Sequence, residues 1–244
     1  MADPKTEKLL ARITTEARAA FGGDLVSVVV YGSAAGDDFI AGRSDVNVAI
    51  VLDAISFPHL QALAAYLPAW RKQGAAAPLF VDHAFLARAR DVFPMEILDI
   101  RAEHRLLFGE DVFTGLDVDF GHLRFQLEQE ARAKLLRLQV LYAECGGGTK
   151  ALRELMLDSA RTFVVLMRSL LRFRGGEAPT AGLKVLDRFE EDMLLPLPAL
   201  REVLLVAATA AAWERNVGEI FADYLSDVEK LVDVIDRAVH EGER

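Results

Sequence analysis

The sequence predicts an α+β protein: a mixed sheet with helices, followed by an all-α antiparallel helical bundle. Two short runs rich in valine, around Val28 and Val48, lie near the chain start and read as buried strands. A third apolar run, Leu79-Phe80-Val81, adds another strand. From about Gly121 onward strand-like alternation disappears, and apolar residues recur only at helical spacing. The expected domains are therefore 1–117, mixed α/β, and 118–244, helical.

Taken in order, Leu9, Leu10, Ile13, Ala17 and Ala20 mark one face of a helix over 6–21, stopped by Gly22 and Gly23. Residues 25–31 form a strand, 33–38 a short helix and 41–44 a loop; 47–52 form a second strand, apolar on both faces and so interior. A helix over 59–73 ends at Gly74. After the strand at 79–81, Asp82 is placed to cap a helix over 83–91. Pro94 then opens a segment, 95–100, whose alternation reads as extended. In the second half Leu123, Leu127, Ala131, Leu135, Leu138 and Tyr142 mark one face of a helix over 122–144. Further helices are expected at 152–173, 181–193, 198–215 and 217–240.

Composition narrows the function classes. With 52% hydrophobic and 27% charged residues, the chain is an ordinary globular protein. A net charge of −9 disfavours a broad surface for long nucleic acid. The single cysteine, Cys145, rules out an internal disulfide framework and suits a reducing, cytoplasmic setting. The apolar run 203–213 is too short to span a membrane, which takes roughly 20 such residues. The five histidines, His59, His83, His104, His122 and His240, show no zinc spacing.

The chemistry concentrates in Tyr31-Gly32-Ser33 and Asp45-Val46-Asn47. A strand runs into a Gly-Ser turn, and a second strand opens with two polar side chains at i and i+2, which share a face. Gly32 lets the backbone approach an anion, and Ser33 offers a hydroxyl and an N–H at a helix start. This layout resembles the polymerase-β-like nucleotidyltransferase superfamily, whose Gly-Ser turn is followed by Asp-x-Asp; here the second aspartate is Asn47. The resemblance is specific over 25–52 and architectural over the helical half, which is similar to the helical domain of aminoglycoside nucleotidyltransferases.

The resemblance implies transfer of a nucleoside monophosphate from an NTP, ATP foremost, to an acceptor hydroxyl with Mg²⁺. Gly32 and Ser33 would hold the phosphates, Asp45 would be the principal metal ligand and Asn47 an auxiliary one. Asn47 offers only a carbonyl oxygen to a hard cation, so metal affinity should fall. The remaining carboxylate is left open between Glu96, Asp82 and Asp99. Glu96 is a charge within an apolar segment, which needs a partner or a metal. Asp82 is already spoken for as a helix cap. Glu128, Glu130, Arg132, Lys134, Arg161 and Arg168 are candidates for an acceptor cleft, although helix charges usually form a solvated face.

The rival reading is a catalytically inactive binding or regulatory module, a nucleotide sensor or antitoxin-like partner. Arg237-Ala-Val-His240 is too short for the Arg-x4-6-His signature of an HEPN ribonuclease. Expected partners are a nucleotide, a small-molecule or protein acceptor, and a second copy through the helical domain, with no membrane.

Overall fold

The computed structural model describes residues 3–36, 45–176, 178–209 and 211–241. It comprises two compact units, residues 1–119 and 120–244.

In the first unit, α1 (Pro4–Phe21) starts at Asp3, whose carboxylate accepts the N–H groups of Lys5 and Thr6. Those bonds hold its acid below the ordinary carboxylate range. The strands are β1 (Leu25–Tyr31), β2 (Asn47–Leu52), β3 (Leu79–Asp82) and β4 (His104–Gly109). They form one mixed sheet in the order β3-β2-β1-β4. The β1–β2 and β1–β4 pairs are antiparallel, and β2–β3 is parallel. The central strands β1 and β2 are buried on both faces, and they are apolar at nearly every position.

On one face Leu10 and Ile13 of α1, and Trp70 of α2 (Phe57–Lys72), pack on Val28, Val30 and Ile50. The indole N–H of buried Trp70 donates to Glu16 at 2.6 Å. On the other face Leu86 of α3 (His83–Val92), Ile100 of α4 (Pro94–Ala102) and Phe113 cover Val29, Ala49 and Val51.

Two local expectations change. Residues 95–100 are helical, not extended. Met95, Ile97 and Ile100 are buried with Pro94 at the first helical position, where its missing N–H and fixed φ cost nothing. Spacings of two and three over so short an apolar run define neither period. At the Gly-Ser turn only a single 3₁₀ turn forms, Gly32–Ala34. Asp37, Asp38 and the expected loop at 41–44 lie outside the described residues.

The second unit contains α5 (Phe120–Glu144), α6 (Thr149–Phe173), α7 (Gly182–Met193), α8 (Pro198–Thr209) and α9 (Val217–Glu241). The expected helix at 198–215 stops at Thr209, and 211–216 are not helical. Helix α6 is the centre, burying Met156, Ala160, Phe163, Met167 and Leu170 at spacings of three and four and packing on α5, α7, α8 and α9. On α5, Leu123, Leu127, Ala131 and Leu138 are buried as patterned, while Tyr142 is exposed and stacks on Phe221. Buried Tyr224 shares a 2.8 Å hydrogen bond with Ser159, and burial pushes its phenol upward. No helix among the described residues is long and apolar enough to cross a membrane.

Asp227 of α9 is a buried carboxylate with a defined task. It accepts the N–H groups of Ala199 (2.7 Å) and Leu200 (3.2 Å) at the start of α8, and Lys230 lies 3.2 Å away. Removing it strands two buried donors. Asp227→Ala should therefore cost about 2–4 kcal/mol in chemical unfolding. Asp227→Asn, which keeps one acceptor, should cost less.

Candidate functional site

The site is assembled by register. Val46 just before β2, and Val48 and Ile50 within it, join the layer under α1 and α2, whereas Ala49 and Val51 join the opposite layer. Alternation thus places Asn47, and Asp45 before it, on the α3/α4 face. Asp45 is exposed and Asn47 half-buried, and neither belongs to an apolar cluster. Tyr31 pairs with Asn47 on one side and with His104 on the other, so a row Asn47–Tyr31–His104 crosses the sheet beneath the Gly32 turn. Burial pushes the Tyr31 phenol upward.

Gly32 has φ +68°, which favours glycine, and a Cβ there would lie 3.5 Å from Asn47 Nδ2. The two halves of the motif therefore meet. The N–H of Ala35 closes the turn on Gly32 O at 2.8 Å, leaving Ser33 half-buried at its start.

Among the described residues, no acid stands abreast of Asn47 on the β3 side. Val46 bridges Ala75, and the N–H of Ala76 donates to Val46 O at 3.0 Å, so Ala75, Ala76 and Ala77 fill that place. Asp82 does not stand beside Asn47: it pairs with Leu52, five residues farther along β2 and about 16 Å away at strand rise. Its Oδ1 accepts Phe85 N–H and its Oδ2 accepts Ile55 N–H, and these bonds hold its acid below the usual range. It is the helix cap expected of it.

Glu96 is exposed on the first turn of α4 and is not a charge buried within a strand. Asp99 is half-buried on the same helix. Among the described residues no three Asp, Glu, His or Cys side chains form a group able to hold a metal ion. In the helical unit Arg161 is exposed, and Arg168 is half-buried with Nη1 3.4 Å from Thr180 O. Glu130 pairs with Lys134 at 2.9 Å, and Arg132 with Asp236.

Three residues that nothing in the spacing marks are brought to the turn or to its row by β4. The N–H of Gly32 donates to Glu103 O at 3.0 Å. His104 Nε2 lies 3.0 Å from Asp111 Oδ2, with its ring edge-on to Phe113. Partial burial opposes the charge of Asp111. The Thr114 hydroxyl, His104 and the N–H groups of Thr114 and Phe113 outweigh it and hold the acid at about 2. A depressed folded-state pKa contributes stability above the ordinary value of 3.8 that is lost as pH falls through about 2. Asp111→Asn should therefore flatten the acid limb of stability between those pH values, measured by unfolding at stepped pH.

No family model and no curated protein matches the chain in sequence. In structure it is similar to the spectinomycin adenyltransferase of Enterococcus faecialis, solved with ATP and spectinomycin. The TM-score is 0.62 at 10% identity, over 94% of this chain and 99% of that one. A nucleotidyltransferase-like protein from Exiguobacterium sibiricum 255-15 aligns over 93% of this chain and 74% of its own, with 13% identity. Its TM-score is 0.38. The first likeness shows the fold: a nucleotidyltransferase α+β unit with a helical C-terminal region.

Proposed function

We propose that the Gly32–Ser33 turn binds a nucleoside triphosphate carrying Mg²⁺, and that the protein moves its nucleoside monophosphate to an acceptor hydroxyl at a rate limited by a reduced acid set. The observation that carries this reading is the meeting of Gly32 with Asn47, which juxtaposes a phosphate-type turn and a polar pair across two antiparallel strands. The Asp45 carboxylate with the Asn47 carbonyl is a poor resident metal site. It suits an ion that arrives on phosphates, since Mg²⁺ is commonly held by one or two carboxylates plus the substrate. When bound, the ion neutralises charge on the transferring phosphoryl group. Asp45 is its principal protein ligand in this reading and Asn47 an auxiliary one, while Ser33 and the backbone of the turn hold the phosphates. ATP is the favoured donor, because the similar adenyltransferase was solved with it. The acceptor is a small-molecule or protein hydroxyl, in a cytoplasmic setting.

A second reading, a nucleotide-binding regulatory module without transfer, is favoured by one specific observation. Ala75, Ala76 and Ala77 stand where a neighbouring strand would present a further acid.

Thermal unfolding with ATP and Mg²⁺ tests the shared premise. A ligand at a hundred times its Kd stabilises by about 2.7 kcal/mol, so the midpoint should climb with ATP–Mg²⁺. Asp45→Asn should blunt the rise. A wild-type midpoint indifferent to every NTP at millimolar concentration would sink both readings.

A further inference from the structure

The geometry points to Glu103 as the positioning residue of the Gly32–Ser33 turn, gripping it at entry and exit. This rests on the nucleotide-binding reading above and adds to it a residue outside the motif.

At the entry, the backbone carbonyl of Glu103 accepts the N–H of Gly32 at 3.0 Å, so that donor is committed to the protein and the following turn is registered against β4. At the exit, the half-buried Glu103 carboxylate occupies the space beside Gly36 that a side chain would take. A Cβ on Gly36 would stand 1.6 Å from Glu103 Oε1 and 2.6 Å from Cδ. Gly36, unlike Gly32, has no left-handed φ, so its lack of a side chain answers to space and not to backbone conformation. One residue therefore holds both ends of the five-residue segment containing Ser33, its main chain at Gly32 and its side chain at Gly36. The atoms that a Gly36 Cβ would meet belong to a flexible side chain and not to backbone, so a methyl group at Gly36 would displace the carboxylate before it forced the backbone apart.

Two substitutions should consequently act on one contact from opposite sides. Glu103→Ala removes the carboxylate, and Gly36→Ala displaces it. Each should weaken ATP–Mg²⁺ binding by about tenfold in calorimetry, roughly 1.4 kcal/mol. The double variant should bind no more weakly than either single one, because both remove the same grip. Glu103→Gln, which keeps shape and length, should retain affinity within about threefold, a rescue that a purely electrostatic role would not give.

Unfolding midpoints measured on the same four proteins without nucleotide supply an independent readout, in which the two single changes should again be non-additive. Additive losses in both measurements, or an affinity unchanged in Glu103→Ala, would overturn the assignment. If the wild type binds no nucleotide, the functional reading fails alone, and the midpoint cycle still decides whether Glu103 grips the turn.

Discussion

Asn47→Asp should tighten ATP–Mg²⁺ binding by about tenfold, or roughly 1.4 kcal/mol, and should loosen binding of ATP without metal. An amide gives a hard cation one neutral oxygen, whereas a carboxylate brings a full charge and a choice of one or two oxygens. The new charge would stand beside Gly32, since Asn47 Nδ2 already lies 3.5 Å from the place of a Gly32 Cβ. With no ion between them, that carboxylate would repel the triphosphate. The opposite signs with and without Mg²⁺ are the diagnostic feature, and titration calorimetry under both conditions reads them. If the substituted protein also gains nucleotidyl transfer from an inert background, the site is a disabled transferase. Equal affinities with and without metal, in both wild type and variant, would exclude a phosphate-borne ion at this position.

The largest effect on stability is expected at Gly109. It ends β4 at φ +80°, paired with Ser27 beside an irregularity in the β1–β4 register. A Cβ there would fall 1.9 Å from the carbonyl oxygen of Val26 and 2.9 Å from its carbon, and both are backbone atoms that cannot swing aside. The same carbonyl accepts the N–H of Glu110 at 3.2 Å, so moving it breaks a bond as well. Gly109→Ala combines left-handed strain with displacement of β1 and should destabilise the first unit by about 3–5 kcal/mol in urea unfolding. Gly74→Ala, also left-handed but with open space around its Cβ, separates the two causes and should cost about 1 kcal/mol.

Much of this arrangement is legible in the residues. Val28, Val29 and Val30 of β1 and Val48 and Val51 of β2 are buried on both faces, and such a pattern has no other comfortable reading. The Gly-Ser and Asp-x-Asn segments name a fold that the solved adenyltransferase shares. Long helices such as α6 declare themselves because a buried stripe sustained over seven turns has only one period. Residues 94–102 mislead because Met95, Ile97 and Ile100, spaced by two and three, follow neither period cleanly, and Pro94 sits at the first helical position. Pairing is the other blind spot. Composition cannot reveal that β3 runs parallel to β2 with Asp82 at the far end, nor that β4 returns to lie against β1. Asp82 is legible as a cap from its place before α3, and only the pairing shows that it stands beside Leu52 and not beside Asn47. Glu103 looks like an unremarkable acid and proves the neighbour of Gly32 and Gly36.

The return of β4 to β1 also sets a condition on assembly. Tyr31 finds His104, and Gly32 finds Glu103, only after a loop of about seventy residues has closed, and the entropy of that closure must be met before the contacts reward it. The turn that carries Ser33 is thus completed by the last strand of its own unit, not by the strand that leads into it. During synthesis, a chain that has emerged only as far as β3 carries the whole sequence motif but lacks the carbonyl that registers Gly32. Nucleotide capture by this protein would accordingly mark closure of the entire first unit, and a bound nucleotide would slow the parting of β4 from β1 more than the fraying of any helix.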